Sequence, residues 1–402
     1  MADKLTVCVC GGGNGAHAMA GLAAAHPGTE ARVLTLFQDE APRWANIMKE
    51  ENFTIQQNKP DKSVVHIKAK PALVTKDASQ AVPGANIIIF CVPAFAHAQY
   101  FKAIEPYVYP NTAIIGLPGQ PGFEFQCFDV LKDKARQCAI LSYESLPWAC
   151  RILEFGKLVE ILGAKDSLMG SEIKGKSQLK PDPAKTLQAM LGEHPVLKMA
   201  HNYLEPYLMT KSIVHPPLMY GRWKDWDGQP MAEKPLFYQG LDEFGAGSLS
   251  TVSDEVLDTA RAITKQKPEL DLPHVEHLLE WYRQDYRETV KDPTSLLTAM
   301  RTNTAYNGLV HPMKDAGNGK WVPDFGYRYL AEDIPFGLVV TKGLALLAGV
   351  PTPETDRVLA WCQDKLGKEF IVGSELKGKD MTSSRAPQAY GFKSLDDLMA
   401  LM

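Results

Sequence analysis

Short apolar runs of strand length recur through the first half of the chain, separated by stretches in which apolar residues have helical spacing. A strand buried on both faces has this pattern, because helices cover both sides of its sheet. Strands are predicted at 5–10, 32–37, 86–92, 112–117 and 138–143, a small antiparallel pair at 53–56 and 64–68, and helices at 40–50, 94–104 and 118–131. Strands that alternate with helices in this way build a doubly wound parallel sheet.

The pattern changes from about Leu197 onwards. Strand-like runs largely disappear there, and the amphipathic spacing typical of helices takes over. Helices are predicted at 197–211, 250–266, 273–287, 293–304, 336–348 and 354–366. The second half is therefore predicted to be an all-helical domain that follows the sheet.

A glycine-rich turn follows the first predicted strand. Gly11, Gly13 and Ala16 have the spacing G-x-G-x-x-[G/A] of a dinucleotide-binding turn, and a strand, a helix and a second strand surround them as that motif requires. The first glycine permits a tight turn, the second lets the backbone approach a pyrophosphate, and the helix N-terminus attracts phosphates. A purely structural turn is the alternative, and the context favours a cofactor site. Its predicted residues are Gly11, Gly12, Gly13, Asn14, Gly15 and Ala16.

The motif defines the predicted fold class and domains. We predict an α/β protein in which an N-terminal Rossmann doubly wound parallel sheet, residues 1–203, is followed by an all-helical C-terminal domain, residues 204–402. The active site is expected in the cleft between these domains. Ligands of such sheets lie beyond the carboxyl ends of the strands, so Val92 and Pro93 are predicted to bind the cofactor.

The residues around the end of the second predicted strand leave the choice between NAD and NADP open. No acid lies at the end of that strand, where one would bind the adenosine ribose. Phe37 ends the strand and Asp39 comes slightly late. Arg43 could instead favour a 2′-phosphate. All three are candidate cofactor-binding residues.

Composition narrows the function classes. A net charge of −4 argues against a nucleic-acid partner, and the longest apolar stretch, 336–350, contains Lys342 and is too short to span a bilayer. The seven cysteines are scattered without metal-ligand spacing, which indicates reduced thiols in a cytoplasmic protein. The first strand begins almost at once, which leaves no room for a signal peptide.

Four residues of the second half are candidates for catalysis. A nicotinamide enzyme needs a proton donor, and His215 and His311, each in a Val-His-Pro triplet, are equal candidates. The alternative for His215 is a cap at a helix C-terminus. Arg328 could hold a substrate carboxylate or form a surface ion pair with Asp324 or Glu332, and Asp333 could be catalytic or a helix N-cap.

Other histidines give weaker signals. His274 and His277 lie three apart on a predicted helix and could hold zinc, but a solvated amphipathic helix is the favoured interpretation and no metal is expected. His97 could approach the nicotinamide or could be a packed helix residue.

Ten ordered blocks of the chain resemble the opine dehydrogenases of the octopine dehydrogenase type. The blocks are CVCGGGNGAH (8–17), RVLTLF (32–37), VPAFAH (92–97), GLPGQPGFEFQC (116–127), ESLPWACR (144–151), VHP (214–216), PLFYQG (235–240), GLVHP (308–312), PDFG (323–326) and YLAEDIP (329–335). The resemblance implies that an amino acid is condensed with a 2-oxo acid, usually pyruvate, and that the imine is reduced with NADH. It also implies regeneration of NAD⁺ when glycolysis outruns respiration. A monomer is expected.

The resemblance also implies residue roles. The catalytic histidine of the family maps to His215, its orienting aspartate to Asp333 and its pyruvate-holding arginine to Arg328. The amino-acid pocket maps to Gln120, Glu144, Ser145 and Cys150. Arginine, alanine, glycine, taurine and β-alanine all stay open as substrates.

The alternatives are another two-domain dehydrogenase and a non-catalytic protein that senses NADH. A dehydrogenase of a hydroxy acid would work without an amino acid, and one of a sugar phosphate would want clustered lysines where this chain offers a single arginine. A protein that only senses NADH would lack turnover.

Overall fold

The computed structural model of the protein describes residues 4–59 and 61–402. The chain folds into two compact units. The first comprises the residues up to Pro206 together with Leu401 and Met402, and the second comprises Tyr207–Ala400.

The first unit is built around a large sheet. The strands of the whole first unit, in chain order, are β1 (Leu5–Cys10), β2 (Thr29–Leu34), β3 (Thr54–Asn58), β4 (Val64–Lys68), β5 (Leu73–Thr75), β6 (Ile87–Phe90), β7 (Ala113–Gly116), β8 (Ala139–Tyr143), β9 (Trp148–Glu154), β10 (Leu158–Ala164), β11 (Ser167–Ile173) and β12 (Val196–Met199). The large sheet has the order β12-β11-β8-β7-β6-β1-β2-β5. From β5 to β8 all neighbours are parallel, whereas β11 runs antiparallel to β8. The predicted doubly wound sheet is confirmed.

Helices connect these strands. They are α1 (Asn14–Ala25), α2 (Glu40–Glu50), α3 (Ala78–Ala81), α4 (Ala94–Ile104), α5 (Phe123–Leu131), α6 (Pro183–Leu191) and, at the border of the two units, α7 (Glu205–Leu208). Every residue of β6, β7 and β8 is buried. Burial on both faces explains why these strands are uninterrupted apolar runs in the sequence.

The second strand lies three residues earlier than the sequence predicted. β2 covers Thr29–Leu34 instead of 32–37, because it pairs in parallel with all of β1, from Leu5 opposite Thr29 to Cys10 opposite Leu34. The chain therefore leaves the sheet at Thr35, and the side chain of Phe37 is exposed.

A second sheet, with the order β4-β3-β10-β9, was predicted only in part. Its hairpin of β3 and β4 confirms the predicted antiparallel pair, but β9 and β10 were missed. Their residues are mostly half-buried or exposed and include charged side chains, so they lack the apolar run that marks a central strand.

The helix predicted at 197–211 is wrong. Val196–Met199 forms β12, which pairs in parallel with Ser167–Gly170 of β11, and only a short helix, α7, follows. A short apolar run of this kind is compatible with a strand or with a helix. Here it forms a strand, because it pairs with the edge of the sheet.

The second unit is helical, as predicted. Its helices are α8 (His215–Trp223), α9 (Glu243–Gln266), α10 (Leu278–Asp285), α11 (Leu296–Thr302), α12 (Arg328–Ala331), α13 (Val339–Ala348), α14 (Pro353–Leu366) and α15 (Leu395–Met399). It also contains a hairpin of β13 (Met313–Gly317) and β14 (Lys320–Pro323), which the sequence did not indicate because its residues are largely exposed. In the described part of the chain, no helix combines the length and the apolar character needed to cross a membrane.

Candidate active site

The glycine turn lies where the carboxyl ends of β1 and β6 meet. Gly11 has φ +126°, and a Cβ placed on it would lie 2.7 Å from the carbonyl oxygen of Cys91 and 2.9 Å from Cγ1 of Val92. The turn can therefore close against β6 only with glycine at this position. Two predicted cofactor residues, Gly11 and Val92, are thus in direct contact.

Gly13 has the opposite environment. It is the N-cap residue of α1, and a Cβ built on it would meet no heavy atom of the described residues within 4 Å. The space in front of this backbone is therefore open to a ligand. An exposed glycine at a helix N-terminus suits the approach of a pyrophosphate.

Two other residues of the turn pack against neighbouring segments of the first unit. The side-chain oxygen of Asn14 accepts a hydrogen bond from the backbone N–H of Ile152 in β9, at 2.8 Å. A Cβ on Gly15 would lie 2.9 Å from Leu146. Because its side chain binds β9, only the backbone of Asn14 is left for the predicted phosphate site.

His17 is a supporting residue that sequence reasoning missed. Its Nε2 accepts a hydrogen bond from the backbone N–H of Gly156 at 3.1 Å, so its Nδ1 carries the proton and donates to the carbonyl oxygen of Gly13 at 3.2 Å. The ring stacks on Trp44 at 3.7 Å. Burial lowers the pKa of His17 to about 3, so the imidazole stays neutral. The signal in the sequence was a lone histidine on an alanine-rich, largely apolar helix.

Glu40 places a carboxylate near the glycine turn, although no acid lies at the end of the second strand. Its carboxylate accepts a hydrogen bond from the buried Thr35 hydroxyl at 2.6 Å. A Cβ on Gly12 would lie within 1.9 Å of Oε2 of Glu40, so the carboxylate lies directly against the glycine turn. The sequence obscured this because Glu40 is the first residue of α2, six residues beyond the end of β2.

The other candidates after β2 have different surroundings. Phe37 and Asp39 are exposed, and Asp39 occupies the N-cap position of α2. The guanidinium of Arg43 lies over the ring of Phe155, 3.8 Å from its centroid. This stacking covers one face of the guanidinium, whereas a 2′-phosphate would bind to the N–H groups in its plane.

The neighbouring strand ends carry further candidates. Pro93 is the N-cap residue of α4, directly beyond β6. His97 is fully buried, donates from Nε2 to the carbonyl oxygen of Val92 at 2.9 Å, and packs edge-on against Phe90 and Phe123. Of the two interpretations of His97, approach to the nicotinamide or packing within a helix, these contacts support packing.

The predicted amino-acid pocket follows β7 and β8. Gln120 adopts φ +62° in the loop before α5. The backbone N–H of Glu144 donates to the carbonyl oxygen of Met169 at 3.1 Å, and the Glu144 carboxylate accepts the N–H of Met169 at 3.3 Å. Ser145 is half-buried. The thiol of Cys150 belongs to the hydrophobic core, where burial raises its pKa to about 11, so it is a poor nucleophile. Substrate contact by these residues stays a prediction.

His215 lies at the beginning of a helix. It is the first residue of α8, and Pro216 and Pro217 occupy the first turn, where proline is tolerated because its missing N–H would have no partner. The alternative of a cap at a helix C-terminus is wrong, since the prolines start a helix rather than end one.

His215 and Asp333, 118 residues apart in the chain, are in contact. Nδ1 of His215 and Oδ2 of Asp333 are 2.7 Å apart, and both side chains are buried. Nε2 of His215 lies 3.0 Å from the hydroxyl of Tyr238, and the ring of Tyr329 stacks on the imidazole at 3.9 Å. A buried carboxylate on Nδ1 fixes the tautomer and leaves Nε2 as the atom that can exchange protons.

A widened turn presents Asp333 to His215. Asp333 immediately precedes a π-helical turn, Ile334–Leu338, and its backbone bonds span five residues instead of four. Its other carboxylate oxygen, Oδ1, faces the Ser212 hydroxyl at 3.4 Å. A Cβ on Gly337 would come within 2.0 Å of Ser212, so the tight packing here requires glycine. Such turns frequently occur at functional sites.

Arg328 forms one of the ion pairs considered as an alternative. Its guanidinium lies 2.8 Å from the buried carboxylate of Glu332, one helical turn later, while more than half of the arginine side chain is exposed. This pair leaves part of the guanidinium fork accessible to a further carboxylate.

The competing histidine is in an apolar site. His311 accepts a hydrogen bond from the indole N–H of Trp223 at Nδ1, at 3.1 Å, and burial lowers its pKa to about 3. At pH 7 His311 therefore has no imidazolium proton to donate.

One of the histidines considered for zinc caps a helix. His277 accepts a hydrogen bond from the N–H of Leu279 and caps α10. Residues 4–59 and 61–402 contain no group of three or more His, Cys, Asp or Glu that could hold a metal ion.

Known proteins resemble this chain over its whole length. Residues 199–366 match the family described as NAD/NADP octopine/nopaline dehydrogenase, alpha-helical domain. An opine dehydrogenase from Haliotis discus hannai is 62% identical over 100% of both chains, and a tauropine dehydrogenase from Arabella iricolor is 46% identical over 98% of this chain and 100% of the other.

A solved structure of octopine dehydrogenase with NADH and L-arginine is similar in fold. It has a TM-score of 0.95 and 48% identity, and the match covers 98% of this chain and 97% of that one. The form with NADH and pyruvate has a TM-score of 0.92, with 98% of each chain covered. The chain therefore belongs to the opine dehydrogenase family of NAD-dependent oxidoreductases.

Proposed function

We propose that the protein condenses an amino acid with pyruvate and reduces the product with NADH to an N-(1-carboxyethyl) amino acid. The buried pair of His215 and Asp333, 2.7 Å apart, is the observation that supports this most directly. Octopine dehydrogenase, a relative of known structure, has been solved with NADH and L-arginine and with NADH and pyruvate.

The chemistry requires two protons at the oxygen of the 2-oxo acid, one when the amino nitrogen adds to C2 and one when the hydroxyl leaves as water. The amino nitrogen adds to C2 of the 2-oxo acid, and the resulting carbinolamine loses water to give an imine. Protonated His215 would donate from Nε2 to the departing hydroxyl, and Asp333 would support the positive charge of the imidazole. NADH supplies the hydride that reduces the imine carbon.

The first unit offers a fitting site for the cofactor. Gly13 leaves open space at the N-terminus of α1, where the pyrophosphate would bind to backbone N–H groups. His17 holds the carbonyl of Gly13 in place. The carboxylate of Glu40, beside Gly12, would accept hydrogen bonds from the adenosine ribose hydroxyls.

Arg328 is proposed to hold the pyruvate carboxylate. A guanidinium grips a carboxylate at two points and would orient C2 of pyruvate for hydride transfer. The ion pair with Glu332 would keep the side chain extended. Gln120, Glu144, Ser145 and Cys150 are proposed to line the amino-acid site.

A requirement for both substrates tests this proposal. Oxidation of NADH, followed by its absorbance, should need pyruvate and an amino acid together. The panel of amino acids is arginine, alanine, glycine, taurine and β-alanine, each with pyruvate, with each partner alone as control. Full turnover with pyruvate alone would give lactate and would identify a hydroxy-acid dehydrogenase. NADH binding without turnover on any substrate would identify a sensor.

Glu40 predicts a preference for NADH over NADPH. Glu40→Gln should reduce the ratio of kcat/KM for NADH to that for NADPH by about tenfold, because it removes the negative charge that repels a 2′-phosphate and weakens binding of the ribose. Asp39→Asn is the matched control, since it removes the same charge from the adjacent exposed residue. An equal change in both variants would mean that long-range charge, and not Glu40, sets the preference.

The state of the cysteines supports a cytoplasmic location. All seven cysteines are free and buried, as expected of a protein in the reducing cytoplasm, where the reaction would regenerate NAD⁺ for anaerobic glycolysis. A monomer is proposed, and sedimentation equilibrium measures its mass in solution.

A further inference from the structure

Glu124 is a fully buried acid that the proposed mechanism does not use. It lies in the first turn of α5, and its neighbours in the chain, Phe123 and Phe125, are buried apolar residues. Burying a carboxyl group costs free energy unless hydrogen bonds replace those to water, and an apolar side chain of similar volume would pack here without that cost. One partner of the acid is the buried hydroxyl of Ser142, which donates to Oε1 of Glu124 at 2.5 Å.

Ser142 lies where the loop before α5 meets the end of β8. The backbone N–H of Gly119 in that loop donates to the carbonyl oxygen of Tyr143 at 3.0 Å. A Cβ built on Gly119 would lie 2.4 Å from Cβ of Ser142, so the loop and the strand are in close contact. The hydrogen bond from Ser142 to Glu124 attaches the helix that follows the loop to the same strand. The chain is therefore held to β8 both before and after Gln120.

The end of β8 also leads directly to Glu144. The backbone N–H of this residue donates to the carbonyl oxygen of Met169 in β11, which fixes the chain on the far side of β8. Gln120 and Glu144 are both residues of the predicted amino-acid pocket. The separation between them therefore depends on how the loop before α5 is attached to the end of β8.

We infer that Glu124 and Ser142 are positioning residues of the amino-acid site. Through their hydrogen bond they set the position of Gln120 relative to Glu144, and with it the fit of the amino acid. Both side chains are buried, so they act through the loop and do not touch the substrate themselves. This inference rests on the proposed function, which puts the amino acid at Gln120 and Glu144. A purely structural role is the alternative, since an acid in the first turn also stabilises a helix by itself.

Loss of this hydrogen bond should affect one substrate and not the other. Ser142→Ala is expected to raise KM for the amino acid about three- to tenfold, because the loop that carries Gln120 loses one attachment. KM for pyruvate should be unchanged, since Arg328 of the second unit is proposed to hold that substrate. Glu124→Met keeps the approximate shape of the side chain without the acceptor, so it should have the same effect. Steady-state kinetics with each substrate varied in turn measure both constants.

Two further variants separate positioning from a general loss of stability. Glu124→Gln keeps the shape and a carbonyl oxygen that can accept from Ser142, so its KM for the amino acid should stay within about twofold of the wild type. Ser171→Ala is the matched control. Ser171 lies opposite Ser142 in β11, is fully buried, and its hydroxyl has no hydrogen-bond partner among the described residues. Its variant should keep both Michaelis constants.

A double variant completes the test. Glu124→Met and Ser142→Ala remove the same bond, so together they should raise KM for the amino acid no further than about twofold beyond the larger single effect. A normal KM for the amino acid in Ser142→Ala, an equal rise in KM for pyruvate, or an equal rise in Ser171→Ala would overturn the inference. If Glu124→Met does not fold, Ser142→Ala and Glu124→Gln decide the question. A wild-type enzyme that turned over no amino acid with pyruvate would instead refute the proposed function, so the two failures are distinguishable.

Discussion

His215→Asn is expected to lower kcat by about 10²–10⁴-fold and to leave the affinity for NADH unchanged. The change removes the imidazole whose Nε2 would protonate the departing hydroxyl, and a positioned acid typically contributes this much to a rate. The glycine turn belongs to the first unit and His215 to the second, so cofactor binding should be preserved. Steady-state kinetics and fluorescence titration with NADH measure the two quantities separately.

Three companion variants define the role. His311→Asn should retain turnover, because its side chain is buried against Trp223 and neutral. Asp333→Asn should resemble a milder His215 variant, since the imidazole remains and only its support is weakened. Arg328→Lys keeps the charge but loses the two-point grip, so it should raise KM for pyruvate more than KM for the amino acid.

Several results would contradict these roles. An inactive His311→Asn beside an active His215→Asn would reverse the choice of histidine. A rise in KM for NADH alone in Arg328→Lys would assign that arginine to the cofactor. If all variants lowered only the melting temperature, these residues would be structural.

The sheet was predictable because its physical cause is local. Strands buried on both faces must be apolar throughout, so β1, β6, β7 and β8 stand out in the sequence. The glycine turn was equally easy to predict. The positive φ of Gly11 and the closeness of Cys91 allow no residue other than glycine at this position. Half-exposed strands such as β9 carry no such constraint and were missed.

The site was predictable only in its residue types. Spacing alone left His215 and His311 equal, and the resemblance, not the physics, favoured His215. The structure supplies the physical difference: an aspartate 118 positions away contacts the first histidine, and burial keeps the second neutral. Glu40 escaped notice for a related reason. Its carboxylate lies against Gly12 although Glu40 is at the start of α2. The sequence does not show that these two residues are close in space.

Gly13→Val is expected to abolish NADH binding while the protein stays folded. The valine side chain would project into the open space before α1, where the pyrophosphate must approach the backbone. The residue has φ −83° and no atom of the described residues lies within 4 Å of a Cβ there, so the folded protein accepts the side chain without strain. Fluorescence titration with NADH and a thermal melt measure the two effects.

Two other glycines of the first unit make the result specific. Gly163→Val is the matched control, because its Cβ also meets open space within the described residues but lies in β10, away from the turn; it should bind NADH normally. Gly11→Ala should instead lower the melting temperature, since its Cβ would lie 2.7 Å from a backbone oxygen and its φ is +126°. Normal NADH affinity in Gly13→Val would remove the glycine turn from the cofactor site. A melting temperature lowered as far as that of Gly11→Ala would show that the valine acts on the fold and not on the ligand.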